Sequence, residues 1–265
     1  MTFKTGAFLS AALAAAPIST ALAGGDGPYV NADVYPLAIV STYDLAKDAF
    51  VSTTALYLAL NGDLARDGFA VRLAGSMDSY SYDRGPIEID GDAWAADAMI
   101  GYRWFRGDLV SGIFLGAEHQ DHDLSPNDPF NPVRGDETGF KVAFDVKKLA
   151  SAYSPFYADL AASYSTAFDT YQVDGRVGFA VDRFVIGPEA WFLGDESSDV
   201  QRVGGFLKTE LPPLLFTGTT TELTLSAGYQ FVDDDHGAST FGDEGAYGSL
   251  RMTTLVGRSF FDALR

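Results

Sequence analysis

The stretch WAADAMIGYRW, from Trp94 to Trp104, alternates between two kinds of side chain. Every second position is apolar, with aromatic residues at both ends and Ile100 between them, whereas the intervening positions include Asp97 and Arg103. Successive side chains of a β-strand point to opposite faces, so this rhythm predicts a strand with one apolar and one polar face. An apolar face that ends in aromatic residues is typical of a strand in a transmembrane β-barrel.

The same two-residue rhythm recurs along the rest of the chain and predicts twelve strands. Many of these segments have 10 to 13 residues, close to what a tilted membrane strand needs and longer than the ~5–6 residues of a strand in a soluble sandwich. We therefore predict an all-β fold, a transmembrane antiparallel up-and-down β-barrel of about 12 strands, with a periplasmic lectin-like sandwich as the alternative. The predicted segments are 34–43, 49–60, 67–81, 88–104, 109–120, 138–148, 155–165, 170–181, 184–193, 199–211, 220–231 and 246–257.

The connections between the predicted strands support a closed barrel. Those after even-numbered strands are short, at 105–108, 181–183 and 211–213, while two after odd-numbered strands, 121–137 and 232–245, are long and polar. Short turns at one end and long loops at the other are typical of outer-membrane barrels. With an even number of strands, this predicts that both termini lie on the periplasmic side.

Composition excludes several classes of protein. The chain has 265 residues, 36 acidic and 18 basic, with a formal net charge of -18, which argues against a nucleic-acid partner. It has no cysteine and three histidines, so cysteine-based chemistry is excluded and a histidine-rich metal site is not expected. After the amino-terminal segment, the longest charge-free run is 49–62, which is too short to cross a bilayer as a helix.

The amino terminus has the features of an export signal. Lys4 provides a positive charge, residues 7–16 are apolar, and Ala21-Leu22-Ala23 is a small-residue cleavage site. This order is that of a secretory signal peptide. We predict that residues 1–23 are a cleaved signal peptide and that residues 24–265 form one outer-membrane barrel domain.

Several sequence blocks go beyond generic barrel features and indicate a family. These blocks are 59–69, 90–94, 122–129, 131–135, 163–171, 187–189 and 201–206. In combination they resemble the bacterial cellulose biosynthesis BcsS family over about residues 30–257. The resemblance implies an outer-membrane accessory of cellulose production that either passes glucan or anchors the secretion machinery; it supplies a pathway and no catalytic residues.

The predicted inward faces collect charges of both signs together with aromatic rings. One interpretation is that opposite charges pair across a narrow lumen and block it. The other is a polar conduit or groove, in which carboxylates bind the hydroxyls of a glucan and aromatic faces its sugar rings. The predicted lumen-lining residues, as candidate glucan contacts, are Arg72, Asp78, Asp97, Arg103, Glu118, Lys141, Asp145, Asp159, Asp174, Arg176, Glu189, Arg202, Glu222, Arg251, Tyr80, Tyr157 and Trp191.

An enzymatic barrel is the third function considered, after an accessory of cellulose biosynthesis and a small porin-like or structural barrel unrelated to cellulose. No Gly-x-Ser-x-Gly elbow occurs, and His119 would reach Ser165 only across two strands. Glu189 beside Arg202 is the tightest carboxylate candidate for glycoside cleavage, but an ion pair would lower the pKa that an acid needs. We predict no catalytic residues, no metal and no cofactor. The expected partners are outer-membrane lipid and, in the cellulose interpretation, glucan and secretion components.

Overall fold

The computed structural model describes residues 34–151, 153–211, 218–233 and 239–262, and the predicted signal peptide, 1–23, lies outside this range. The described chain is nearly all strand, with one short helix, α1 (Arg258–Asp262), after the last strand. No helix in this range is long and apolar enough to cross a membrane. The strands are β1 (Leu37–Lys47), β2 (Ala49–Ala59), β3 (Gly68–Arg84), β4 (Ile87–Arg106), β5 (Leu109–Ser125), β6 (Gly135–Lys148), β7 (Phe156–Ser165), β8 (Tyr171–Val181), β9 (Phe184–Gly194), β10 (Asp199–Leu211), β11 (Thr219–Asp233) and β12 (Asp243–Val256).

Each strand pairs antiparallel with its neighbours in sequence, and the sheet closes on itself. The closing pair joins β1 to β12, from Leu37↔Val256 through Thr42↔Arg251. Closure leaves no edge whose backbone groups would need water. The prediction of a twelve-stranded up-and-down antiparallel barrel is therefore confirmed. Most predicted strand ends lie within a few residues of the observed ones.

The outer wall of the barrel is apolar. Trp94 and Trp104 are 43% and 37% exposed at the two ends of the apolar face of β4, as their spacing predicted. A continuous apolar surface of this kind is stable in hydrocarbon and unfavourable in water, so the barrel is a transmembrane one. Its exposed side chains include Leu56, Leu58, Phe69, Leu73, Ile100, Phe140, Phe144, Leu160, Val177, Phe179, Ile186, Phe192, Val203, Leu225 and Phe231.

The two ends of the barrel differ. We call the end at which β1 begins and β12 ends the terminal end, and the opposite one the loop end. At the loop end Asp48 alone separates β1 from β2, and residues 85–86 separate β3 from β4. The prediction that connections after odd-numbered strands are long therefore holds only in part. At the terminal end 107–108 and 182–183 are short, but 60–67 and 149–155 are longer.

One wall of the barrel extends past the loop end. The strands β3, β4 and β5 have 17, 20 and 17 residues, against 10 or 11 in β7, β8 and β9. The predicted loop 121–137 is wrong in its bounds, because β5 and β6 remain paired through Asp121↔Asp136 and His122↔Gly135. These residues are polar because they lie beyond the apolar band, and the ladder needs no apolar face there. The actual connection, which we call the β5–β6 loop, is 126–134.

Candidate functional site

Four charged side chains from neighbouring strands meet in one half of the lumen. Arg72 on β3 donates through Nη1 to both carboxylate oxygens of Asp97 on β4, at 2.8 and 2.7 Å. The Nζ of Lys141 on β6 lies 3.2 Å from Asp97 and 2.6 Å from Glu118 on β5. All four side chains are at most 2% exposed. The alternation of each strand brings these residues inward, and two cations share two carboxylates.

A second network occupies the opposite half. Arg176 on β8 donates to Asp174 at 2.9 Å and to Glu189 on β9 at 2.8 Å. The hydroxyl of Tyr247 on β12 donates to the other oxygen of Glu189 at 2.8 Å. The Arg176 guanidinium also lies 4.9 Å from the ring centroid of Trp191. Trp191, which the sequence predicted to face inward, therefore packs against the Arg176 side chain.

Arg202 pairs with a residue that the sequence did not indicate. Its Nη1 lies 2.8 Å from Asp44 on β1, and its Nε donates to Gln230 on β11 at 2.8 Å. The predicted neighbour, Glu189, is instead satisfied by Arg176. The expectation of a Glu189–Arg202 pair is wrong because the register places Trp191 opposite Arg202, two positions away from Glu189.

Two further ion pairs and one tyrosine lie near the terminal end. Lys147 Nζ is 3.4 Å from Asp159, and Lys208 Nζ is 3.0 Å from Glu222. The hydroxyl of Tyr157 donates to Asp159 at 3.0 Å, and its ring centroid lies 4.8 Å from Lys208 Nζ. The predicted inward Tyr157 is therefore a packing and hydrogen-bonding partner of these pairs.

Arg103 and Asp145 face each other across a glycine. Both are opposite Gly112 of β5, one on β4 and one on β6. A Cβ at Gly112 would lie 2.9 Å from an oxygen of Asp145, so the missing side chain leaves the space over β5 to the two charges. Among the described residues, two nitrogens of Arg103 and one oxygen of Asp145 have no direct hydrogen-bond partner, as also holds for Nε and Nη2 of Arg251.

A connection folds inward at each end of the lumen. At the terminal end Leu64, from the connection 60–67, is 2% exposed, and its N–H donates to the Tyr35 carbonyl at 2.8 Å. At the loop end the ring of Phe168 is buried against His122, with 5.2 Å between ring centroids. His122 Nδ1 is in turn 3.2 Å from the hydroxyl of Tyr80.

Below the loop-end closure lies a small cavity of about 70 Å³. Its lining includes Asp78, Glu118, Gln120 and Thr170. A space of this size is on the order of a few water molecules. It is too small for a chain of sugar rings to pass.

The structure places the predicted lumen residues inside the barrel. Sixteen of the seventeen are buried, and Asp78 is half-buried. Their role as glucan contacts stays a prediction. Asp44 and Lys147 were missed, although each continues the inward alternation of its strand; Gln230 and Tyr247 were missed because nothing in their strand marks them as partners of charges.

The candidate hydrolase pair is not assembled. His119 faces outward, where its Nδ1 lies 2.8 Å from the Thr138 hydroxyl and its ring contacts Trp94. Ser165 is buried and accepts a hydrogen bond from the Ala167 N–H at 3.2 Å. The two residues therefore do not form the nucleophile–base pair that acyl transfer needs.

Two loop carboxylates show how the connections are fastened. Burial raises the pKa of Asp195, although the hydroxyls of Ser197 and Thr240 donate to it. The Arg106 guanidinium, donating at 2.7 Å, and the Phe105 N–H hold the pKa of Asp67 below its usual range. Asp195 joins the β9–β10 connection to the connection between β11 and β12, and Asp67 ties the 60–67 connection to β4.

Comparison with known proteins places the chain in a family. Among solved structures, the chain is similar to the KdgM porin in complex with disordered oligogalacturonate. The two are 9% identical, the match covers 83% of this chain and 98% of that chain, and the TM-score is 0.35. A bacterial polysaccharide outer membrane secretin is 11% identical over 85% of this chain and 99% of that chain, with a TM-score of 0.33. No curated protein matches the sequence. The model of the family "Cellulose biosynthesis protein BcsS" matches residues 38–256, and the chain therefore belongs to this family.

Proposed function

We propose that this protein is a non-enzymatic outer-membrane accessory of cellulose biosynthesis that anchors the secretion machinery and does not pass glucan through its lumen. Membership of the cellulose biosynthesis protein BcsS family supports the pathway. The apolar outer wall and the closed sheet support insertion in the outer membrane. The predicted signal peptide, 1–23, and periplasmic termini complete this proposal.

The observation that carries the anchoring role is the filled lumen. Arg72, Asp97, Lys141 and Glu118 form one continuous network across β3 to β6, and Arg176 with its two carboxylates fills the opposite half. A glucan chain in the lumen would have to separate such pairs. Leaving a buried charge without its partner costs about 3–5 kcal/mol, and several would be left at once. Side chains that fill a barrel leave no aqueous channel through it.

The first experiment measures conductance. We expect the purified barrel in planar bilayers to show no stepwise ion conductance, because ion pairs and the two inward connections close the lumen. Cellohexaose should have no effect on the baseline. Stable conductance steps that cellohexaose blocks would contradict the anchoring role and favour passage of glucan.

The second experiment follows cellulose in cells. Deletion of the gene should leave synthesis active but release cellulose from the cell surface, and the intact gene should restore retention. Cellulose trapped in the periplasm would indicate a conduit. Unchanged amount and location of cellulose would remove the pathway assignment and favour a structural barrel of another function.

A further inference from the structure

A groove outside the lumen lies at the loop end, between the β5–β6 loop and the β9–β10 connection. Its volume is about 830 Å³, within the usual range of ligand sites, roughly 300–1,000 Å³. Its lining includes Asp123, Asn127, Phe130, Arg134 and Glu196. It sits above the closed mouth, so a molecule bound there would not enter the barrel.

The β5–β6 loop that forms one wall is fastened by two buried polar residues. Asp128, 4% exposed, accepts hydrogen bonds from Arg84 at 2.6 Å and from the Tyr82 hydroxyl at 3.1 Å. Asn131, 1% exposed, donates to the same tyrosine at 3.0 Å and accepts from the Val133 N–H at 2.9 Å. The loop is therefore held in one shape against the extended end of β3.

Between these two anchors Phe130 points into solvent. Its side chain is 77% exposed, while its N–H donates to Asp128 at 3.0 Å. An aromatic ring kept in water forgoes the free energy that burial of its apolar surface would release. Because the backbone around it is fixed, covering the ring with a ligand costs little backbone freedom.

The polar lining suits hydroxyl groups. Carboxylates accept hydrogen bonds, guanidinium donates them, and amides do both, so Asp123, Arg134 and Asn127 match the edge of a sugar ring. The faces of a β-linked glucose ring carry C–H groups, which pack against an aromatic face. A single exposed ring beside amides and carboxylates therefore fits a pyranose chain.

Charge distinguishes a neutral glycan from an anionic one. Arg134 is the one cation in the lining, against Asp123 and Glu196. Further acidic residues lie on the same end, including Asp83, Glu88, Asp92, Asp136 and Asp199. An acidic polysaccharide would be repelled by this end, whereas an uncharged glucan would not.

We propose that this groove binds a neutral β-linked glucan chain, with Phe130 stacking on a sugar face and the polar side chains holding its hydroxyls. The inference rests on the proposed function for the choice of glucan and deepens it. The barrel would fasten the machinery in the membrane and hold the emerging polymer on its surface.

The experiment measures cellohexaose binding by calorimetry to the full mature protein in detergent micelles. Phe130→Ala should weaken binding at least roughly fivefold, as expected for an aromatic hot spot. Phe130→Trp should retain it. The matched control is Tyr153→Ala, because Tyr153 is an exposed aromatic residue (88%) in the 149–155 connection at the terminal end. This control should bind like the wild type.

Three results would overturn the proposal that the groove binds a neutral glucan. The first is no binding of cellohexaose to the wild type, and the second is equal binding by Phe130→Ala and Tyr153→Ala. The third is that oligogalacturonate binds as well as cellohexaose, which would contradict a neutral glycan. All three leave the anchoring role untouched, since that role fails on conductance or on unchanged cellulose in the deletion strain.

Discussion

The lumen and the loop-end groove contain the same kinds of charged residue, but those of the lumen are buried and those of the groove are exposed to water. In the lumen Glu118 is 1% exposed at its side chain and 2.6 Å from Lys141. In the groove Asp123, Arg134 and Glu196 are exposed. Water stabilises a lone charge on the surface, whereas the low dielectric of the interior makes it costly unless it is paired. The lumen charges therefore hold the barrel together, and the groove charges are free to meet a ligand.

The largest effect is expected from Asp97→Asn. The substitution keeps the shape of the side chain but removes the negative charge that Arg72 and Lys141 share. Because two buried cations then lose a partner, the free energy of unfolding should fall by about 3–5 kcal/mol. The free energy of unfolding is measured by guanidinium titration in detergent. The folded fraction at each concentration is read from the heat-dependent shift of the barrel on a gel.

The control for this substitution is Asp92→Asn on the same strand. Asp92 is exposed near the loop end, so the same chemical change should leave stability nearly unaltered. Equal unfolding midpoints for Asp97→Asn and Asp92→Asn would mean that the lumen pairs do not stabilise the barrel. The contrast between lumen and surface would then fail.

An intermediate effect is expected from acid on the β5–β6 loop. Burial alone would raise the pKa of Asp128, but hydrogen bonds from Arg84, the Phe130 N–H and Tyr82 hold this pKa below its usual value. A carboxyl whose pKa is lowered by folding stabilises the fold above its unfolded pKa, about 3.9, and this contribution is lost as pH falls through the folded pKa. The loop should therefore be ordered at pH 7 and loosen below about pH 4.

Hydrogen exchange of two amides tests this prediction within one loop. The Phe130 N–H donates to Asp128, which titrates, and the Val133 N–H donates to Asn131, which does not. After correction for the intrinsic exchange rates, lowering the pH should weaken the protection of the Phe130 amide before that of the Val133 amide. Asp128→Asn should remove this pH dependence. Equal protection of Phe130 at pH 7 and at about pH 2, well below the usual carboxyl pKa, would contradict it.

The sequence was sufficient to predict whether a strand side chain points into the lumen, but it did not identify the partner of that side chain there. Alternation along β3 and β4 placed Arg72 and Asp97 inside, because the period of a strand is fixed by its backbone. Lumen partners depend on register and on strands far apart in sequence. Asp44 and Arg202 are separated by most of the chain, so the rhythm of either strand carries no sign of their contact.

The groove was harder to predict for a physical reason. Phe130 lies in an aperiodic loop, where exposure depends on how that loop is fastened. The anchors Asp128 and Asn131 reach back to Tyr82 on another strand. The sequence did contain one signal, a single aromatic residue between a proline and an asparagine in a polar loop, but nothing in it shows that the ring stays in solvent.

The smallest effect is expected from Lys47→Ala at the loop end. Lys47 Nζ lies 2.6 Å from Asp243, the same distance that separates Lys141 from Glu118 in the lumen. The side chains of Lys47 and Asp243 are 54% and 53% exposed, so water and salt screen the attraction and solvate each charge when the other is removed. The unfolding midpoint of Lys47→Ala should match the wild type, while Lys141→Ala should unfold at much lower denaturant. A comparable loss from both substitutions would show that contact distance governs these pairs. A loss confined to Lys141→Ala would show that burial does.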